Sequence, residues 1–212
     1  LMPAAWSPGY VVLVFVMWWA MMIAMMVPSA APAILLYAAL MGRSNQSFRA
    51  PRLTYVFLAG YLAAWAAFSL TATGLQWALE WHDLISPMMM ALVSTTLCGC
   101  LLILAGAYQF TPLKNNCLEH CRSPFQFLIA RHRDGLGGAF RMGLEHGSYC
   151  LGCCWFLMAL LFVGGIMNLY WIAGLALFVA AEKLAPIGWH IGRIVGAVLI
   201  TGGGCLLVYN YV

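Results

Sequence analysis

Residues Arg141–Asn168 read RMGLEHGSYCLGCCWFLMALLFVGGIMN, and this stretch organises the rest of the chain. At about 100° per residue on a helix, Met142, His146, Cys150 and Cys153 fall in one narrow stripe, with Cys154 beside it and Glu145 off the other side. All four stripe residues are soft or borderline metal donors. Trp155 to Ile166 then supply apolar length of the kind that crosses a bilayer. The segment is expected to be a membrane-spanning helix that carries thiols deep into the membrane. A free cysteine is also a small hydrophobe that favours buried sites, which accounts for one such residue more easily than for three within five positions.

The composition agrees with a membrane location. The 212 residues are 64% hydrophobic and 8% charged, against about 25% charged in an ordinary globular chain. An all-α polytopic protein is expected, a single transmembrane domain over residues 1–212 with spans at about 10–40, 53–77, 87–109, 139–167, 170–184 and 189–211. No basic segment with a small-residue cleavage site precedes the first apolar run, so that run is expected to stay as a span.

The basic residues orient the six spans. Arg43, Arg49 and Arg52 fall between the first two; Lys114, Arg122, Arg131, Arg133 and Arg141 fall around the third-to-fourth loop, 110–138; Lys183 and Arg193 flank the last turn. Both termini are then expected on the periplasmic side of a bacterial inner membrane. The net charge of +4 reports this topology and contact with anionic membrane lipid; no nucleic-acid-binding motif accompanies it.

Span one is too long for a simple crossing of about 20 residues, and Pro28 and Pro32 are expected to kink it, because each removes a helical N–H and crowds the carbonyl four residues back. Just before them, Met17, Met21 and Met25 form one stripe and Met22, Met26 and Ser29 its neighbour. Any one Met is a flexible packing residue; stacked thioethers beside unpaired carbonyls, with Met21 and Met25 foremost, are candidate soft ligands. Span three is expected to begin at Pro87 and holds Cys98 and Cys100 about halfway along. Residues two apart diverge on a helix, so at most one of them faces a shared site, Cys98 with Met90 or Cys100 with Met89 as alternatives, and Cys98 is carried as a candidate ligand.

The loop 110–138 contains CLEHCRSP, with Cys117 and Cys121 on one helical face and His120 beside them. Two thiols and an imidazole are acceptable donors to zinc or Cu(I), whereas a plain amphipathic helix would carry its thiols incidentally. The following PFQFLIARHR is expected to lie in the inner membrane interface. Glu182 is expected to pair locally with Lys183 or Arg193, and the outer loop with Glu80, His82 and Asp83 is a weak candidate cation port.

Taken together, AMMVPSAAP, CLEHCRSP, CLGCCWFLM, GGIMN followed by YW, and a late EK resemble a bacterial family of predicted metal-binding integral membrane proteins, a domain of unknown function sometimes labelled a copper chaperone. The likeness runs from about Trp18 to Lys183. It implies metal binding at Cys117, Cys121, Cys150, Cys153 and Cys154, with the Met-rich part of span one contributing.

Donor softness selects the metal. Thiols and thioethers favour Cu(I), mixed Cys and His favour zinc, and the lack of carboxylate clusters argues against Mg, Ca or Mn. Thirteen methionines favour copper. Cys154 stands where a C-x-x-C-H haem signature needs its His, and no hydrolytic triad or phosphate-binding glycine loop occurs. The expected role is Cu(I) handling without catalysis, by transport or by delivery to a membrane copper enzyme. Two other roles remain: an accessory subunit of a larger membrane complex, and a thiol oxidoreductase using Cys150 and Cys153. The latter is disfavoured because a redox pair ordinarily sits at an exposed helix N-terminus.

Overall fold

A computed structural model describes residues 6–43, 47–86, 88–185 and 188–211, and these residues are helical and strand-free apart from one isolated bridge between Ile85 and Leu92. The helices are α1 (Pro8–Gly42), α2 (Ala50–Trp81), α3 (Thr95–Tyr108), α4 (Pro112–Arg122), α5 (Pro124–Ala130), α6 (Gly135–Ala159), the single turn α7 (Leu161–Gly164), α8 (Leu169–Leu184) and α9 (Gly188–Tyr211). Four of the described segments are long and apolar enough to cross a membrane: Pro8–Gly42, Ala50–Trp81, Gly135–Gly164 and His190–Tyr209. A fifth is reached by counting α3 and α4, bent by 63°, as one broken span.

This differs from the expected six. Helix α8 has only 16 residues, a length of about 24 Å. Helix α3 has 14 and starts at Thr95, where the Ser94 hydroxyl accepts from Leu97 N–H. The chain before it is tied up otherwise. Ser86 N–H donates to the Ala91 carbonyl and Val93 N–H to the Leu84 carbonyl, and Leu92 N–H reaches Phe162 O at 2.8 Å. That loop is tied to α7 and the turn after it, so residues 88–93 form a loop where a first helical turn was expected. Pro87 itself lies outside the described residues.

Helix α1 is capped by Ser7, which accepts from Tyr10 N–H, with a proline in its first turn. It stays helical through Pro28 and Pro32. Both prolines and Ala24 are on the exposed side, so the missing N–H groups fall away from the buried seam of Trp18, Met22, Met25, Met26, Ser29 and Ala33. On that seam, the Met26 carbonyl accepts from both Ser29 Oγ at 2.9 Å and Tyr61 OH at 3.1 Å, the latter tying α1 to α2.

Glycines set how closely the helices approach. A Cβ on Gly60 would run into the Phe140 carbonyl and one on Gly143 into the Phe57 carbonyl, so α2 and α6 lie backbone to backbone. Gly99 against Gly203, and Gly106 against Gly196, do the same for α3 and α9, the small-residue packing that replaces a hydrophobic driving force within lipid. The bend between α3 and α4 has its own local cause. Thr111 caps α4 through Lys114 N–H, and Pro112 opens it; the residue before a proline is driven out of the helical region, and Thr111 has φ −73° and ψ 144°.

The segment Pro124–Ala130, expected to lie in the interface, is partly drawn inward. Phe127 and Leu128 are buried with Tyr37, Phe57 and Met142, while Phe125 and Ile129 remain exposed.

Candidate metal site

Four other helices, α1, α2, α4 and α8, converge on the thiols of α6. Its stripe faces the interior as the periodicity requires: Met142, His146, Cys150, Cys153 and Cys154 are all at most 2% exposed. The close approach of α2 at Gly143 and Gly147 presses this face against Tyr61 and Ala64. All eight cysteines are free thiols.

Cys150 is the centre. Its sulfur lies 3.1 Å from Tyr61 OH of α2 and 2.9 Å from Lys183 Nζ of α8. Lys183 is itself only 6% exposed and also donates to Ser29 Oγ of α1 at 3.2 Å. A buried ammonium is costly unless acceptors face it, and the sulfur and the hydroxyl fill that role. From α4, Cys121 packs against this thiol cluster and borders the same cavity as Cys150. From α1, Met26 places its thioether 4.0 Å from the Cys154 sulfur. Two sulfurs on one ion with bonds of about 2.3 Å lie less than about 4.6 Å apart, so this pair is within reach of a shared ion.

Thus CLEHC and CLGCC, read from the sequence as separate inner and mid-membrane motifs, come together through Cys121. Cys117 joins at the margin, with its sulfur lying over Gly152. The remaining candidates fall elsewhere. His120 is exposed, stacks on Tyr149 with ring centroids 4.3 Å apart and bonds the Asn116 carbonyl through Nδ1. Cys98 turns back to the Leu92 carbonyl. Met25 is buried and Met21 half-buried; it is Met26, of the neighbouring stripe, that meets a thiol. His146 is buried among Phe57, Tyr61 and Phe127, and its Nδ1 has no hydrogen-bond partner.

Among the described residues, no three His, Cys, Asp or Glu side chains are set as a ready-made shell for an ion. The thiols show why. Cys153 and Cys154 both donate back to the Cys150 carbonyl, at 3.0 and 2.9 Å, so they are held in helix-facing rotamers that an ion would have to turn outward.

A cavity of about 160 Å3 opens beside the cluster, bounded by Ser29, Pro32, Cys121, His146, Cys150 and Lys183 among others. Behind Lys183, Glu182 forms a buried ion pair with Lys114 of α4 at 2.7 Å, and Lys114 also donates to Gln109. That pair latches α4, with its two cysteines, to α8. At the other end Glu80 accepts from Trp6 and Gln76, so one of the two carboxylates of the expected cation port is in use.

A family model matches residues 15–206, nearly the whole chain, and its family is PpoB2, described as copper chaperone. The chain belongs to the PpoB2 copper chaperone family. No curated protein and no solved structure matches it. A cluster of three α6 thiols, one α4 thiol and one α1 thioether has the soft donor set that copper in its lower oxidation state prefers. Sequence reasoning missed Tyr61, Ser29, Met26 and Lys183 as members of this cluster. The one signal for Lys183 was an ionisable residue in an apolar helix, which marks function by default.

Proposed function

We propose that the protein binds Cu(I) as cargo, at Cys121, Cys150, Cys153, Cys154 and Met26, in the inner membrane of a bacterium and delivers it to a membrane copper enzyme. The observation that carries this reading is the convergence of sulfur from α1, α4 and α6 in one buried cluster. Membership of a copper chaperone family supports the choice of cargo. In this reading the chain crosses the membrane six times, with α3 and α8 as short spans and both termini periplasmic, and α4 and α5 lie on the cytoplasmic side. The role is carriage, with no bond of a substrate made or broken.

Cargo binding turns the Cys153 and Cys154 thiols away from the Cys150 carbonyl and toward the ion. The α6 backbone need not move. Release then returns them to that carbonyl, so the helix itself supplies the donor's resting partner.

Metal analysis of the purified protein tests the proposal. Wild type should hold Cu(I) against a competing chelator and prefer it to zinc, and replacing Cys150 and Cys153 by Ser should abolish the binding. Equal Cu(I) retention by the double variant would overturn the site. Absence of Cu(I) binding by the wild type would overturn the function and leave the accessory-subunit reading.

A further inference from the structure

The cavity beside Cys150 has a feature that simple Cu(I) storage does not use. His146 borders it, is 2% exposed and has an Nδ1 without a partner. Imidazole nitrogen suits Cu(II) as well as zinc, while thiols and thioethers suit Cu(I). The cavity wall therefore offers a nitrogen donor for the oxidised ion next to sulfur donors for the reduced one. Its volume of about 160 Å3 far exceeds the roughly 10–15 Å3 that one water needs, so a partly hydrated ion fits.

Two thiols border the same cavity, Cys121 of α4 and Cys150 of α6. Cys153 and Cys154 do not border it; their S–H groups are engaged by the Cys150 carbonyl. The pair nearest an arriving ion is thus an interhelical dithiol, and a short helix carrying one partner can adjust without distorting α6.

We infer that Cys121 and Cys150 reduce cupric ions entering this cavity, so that the protein converts Cu(II) to its own Cu(I) cargo. The inference rests on the proposed copper function. In the step, the Cys121 and Cys150 S–H bonds break and one S–S bond forms. Two electrons pass singly to two Cu(II) ions, giving two Cu(I), and two protons leave to solvent. Cys153, Cys154 and Met26 remain as soft donors for the product. The reaction is stoichiometric: one disulfide closes for each two ions.

The full chain, with the exposed Cys100 and Cys205 replaced by Ser, is reduced, freed of reductant and mixed anaerobically with cupric sulfate and a Cu(I)-specific chromogenic chelator. Two Cu(I) should appear per protein, with a Cys121–Cys150 disulfide found by peptide mass spectrometry. The mapping needs no change at either thiol, so it stands even if a cysteine variant fails to fold. Cys121→Ser should slow the reduction by about tenfold or more, since it removes one of the two reacting thiols. His146→Gln, which keeps both thiols, should slow it as well. Reduction with Cys121 still free, or at an unchanged rate in Cys121→Ser, overturns the inference. Cu(I) supplied directly separates the two claims. If it binds while Cu(II) is not reduced, only the reduction falls; if it does not bind, the copper function falls with it.

Discussion

Lys114 and Glu182 form an ion pair of 2.7 Å with both side chains at most 3% exposed, and it joins α4 to α8. Removing one member of such a pair strands a charge in the interior, which costs about 3–5 kcal/mol, whereas replacing both by apolar residues of similar size is often neutral or stabilising. Glu182→Met and Lys114→Met should each lower the unfolding temperature in detergent markedly, and the double variant should recover most of the loss. Because α4 carries Cys121, either single variant should also speed alkylation of that thiol. Equal stability of all four proteins would show that the latch contributes nothing.

The helix seams predict a contrast among glycines. A Cβ at Gly143 would meet the Phe57 carbonyl inside contact distance, and one at Gly60 the Phe140 carbonyl. Backbone cannot step aside as a side chain can, so Gly143→Ala and Gly60→Ala should destabilise by at least the roughly 1–3 kcal/mol typical of overpacking. At Gly74, Gly202 and Gly204 nothing lies within 4 Å of the added carbon. There the alanine should be neutral or stabilise slightly through helix propensity. Thermal unfolding of the five variants checks the ranking.

What the sequence could and could not disclose follows from the range of each interaction. The α6 stripe was legible because 3.6-residue periodicity is local, and its members are buried together. Likewise CLEHC reads as one helical face, and Cys117 and Cys121 do lie on one helix. Nothing local says that α4 folds back onto α6 after the Thr111–Pro112 bend, so the contact of Cys121 with Cys150 was out of reach. The two methionine stripes of α1 differ by one helical position, and only the packing of Tyr61 and α6 brings Met26 rather than Met21 beside a thiol. Glu182 and Lys183 were placed near the interface because consecutive charges at a helix end usually are. In the fold they diverge, one to Lys114 and the other to Cys150.

Membrane orientation gives a separate test. His82 and Asp134 are exposed and lie at opposite ends of the bundle by the six-span topology. In a variant lacking the exposed Cys100 and Cys205, His82→Cys should react with an impermeant maleimide added to intact cells from the periplasmic side. Asp134→Cys should react only after the inner membrane is opened. The reverse pattern would invert the topology, and labelling of both from one side would remove the odd number of crossings between them.

The last prediction separates a thioether that binds cargo from thioethers that only pack. Met26 is fully buried with its sulfur 4.0 Å from Cys154, while Met21 is half-buried and packs at the edge of the same cluster. Leucine is nearly isosteric with methionine, and such swaps in a core usually cost less than about 1.5 kcal/mol. Met26→Leu should therefore keep the fold and lose one soft ligand. A loss of Cu(I) affinity of about tenfold, or about 1.4 kcal/mol, is expected against a competing chelator, with the unfolding temperature of the metal-free protein nearly unchanged. Met21→Leu should leave the affinity as it is. If both variants bind as wild type does, the ion is held by thiols alone and α1 serves only as a wall. If both weaken equally, α1 presents its methionines in a rotation different from the one described, with Met21 and Met26 exchanging places toward α6.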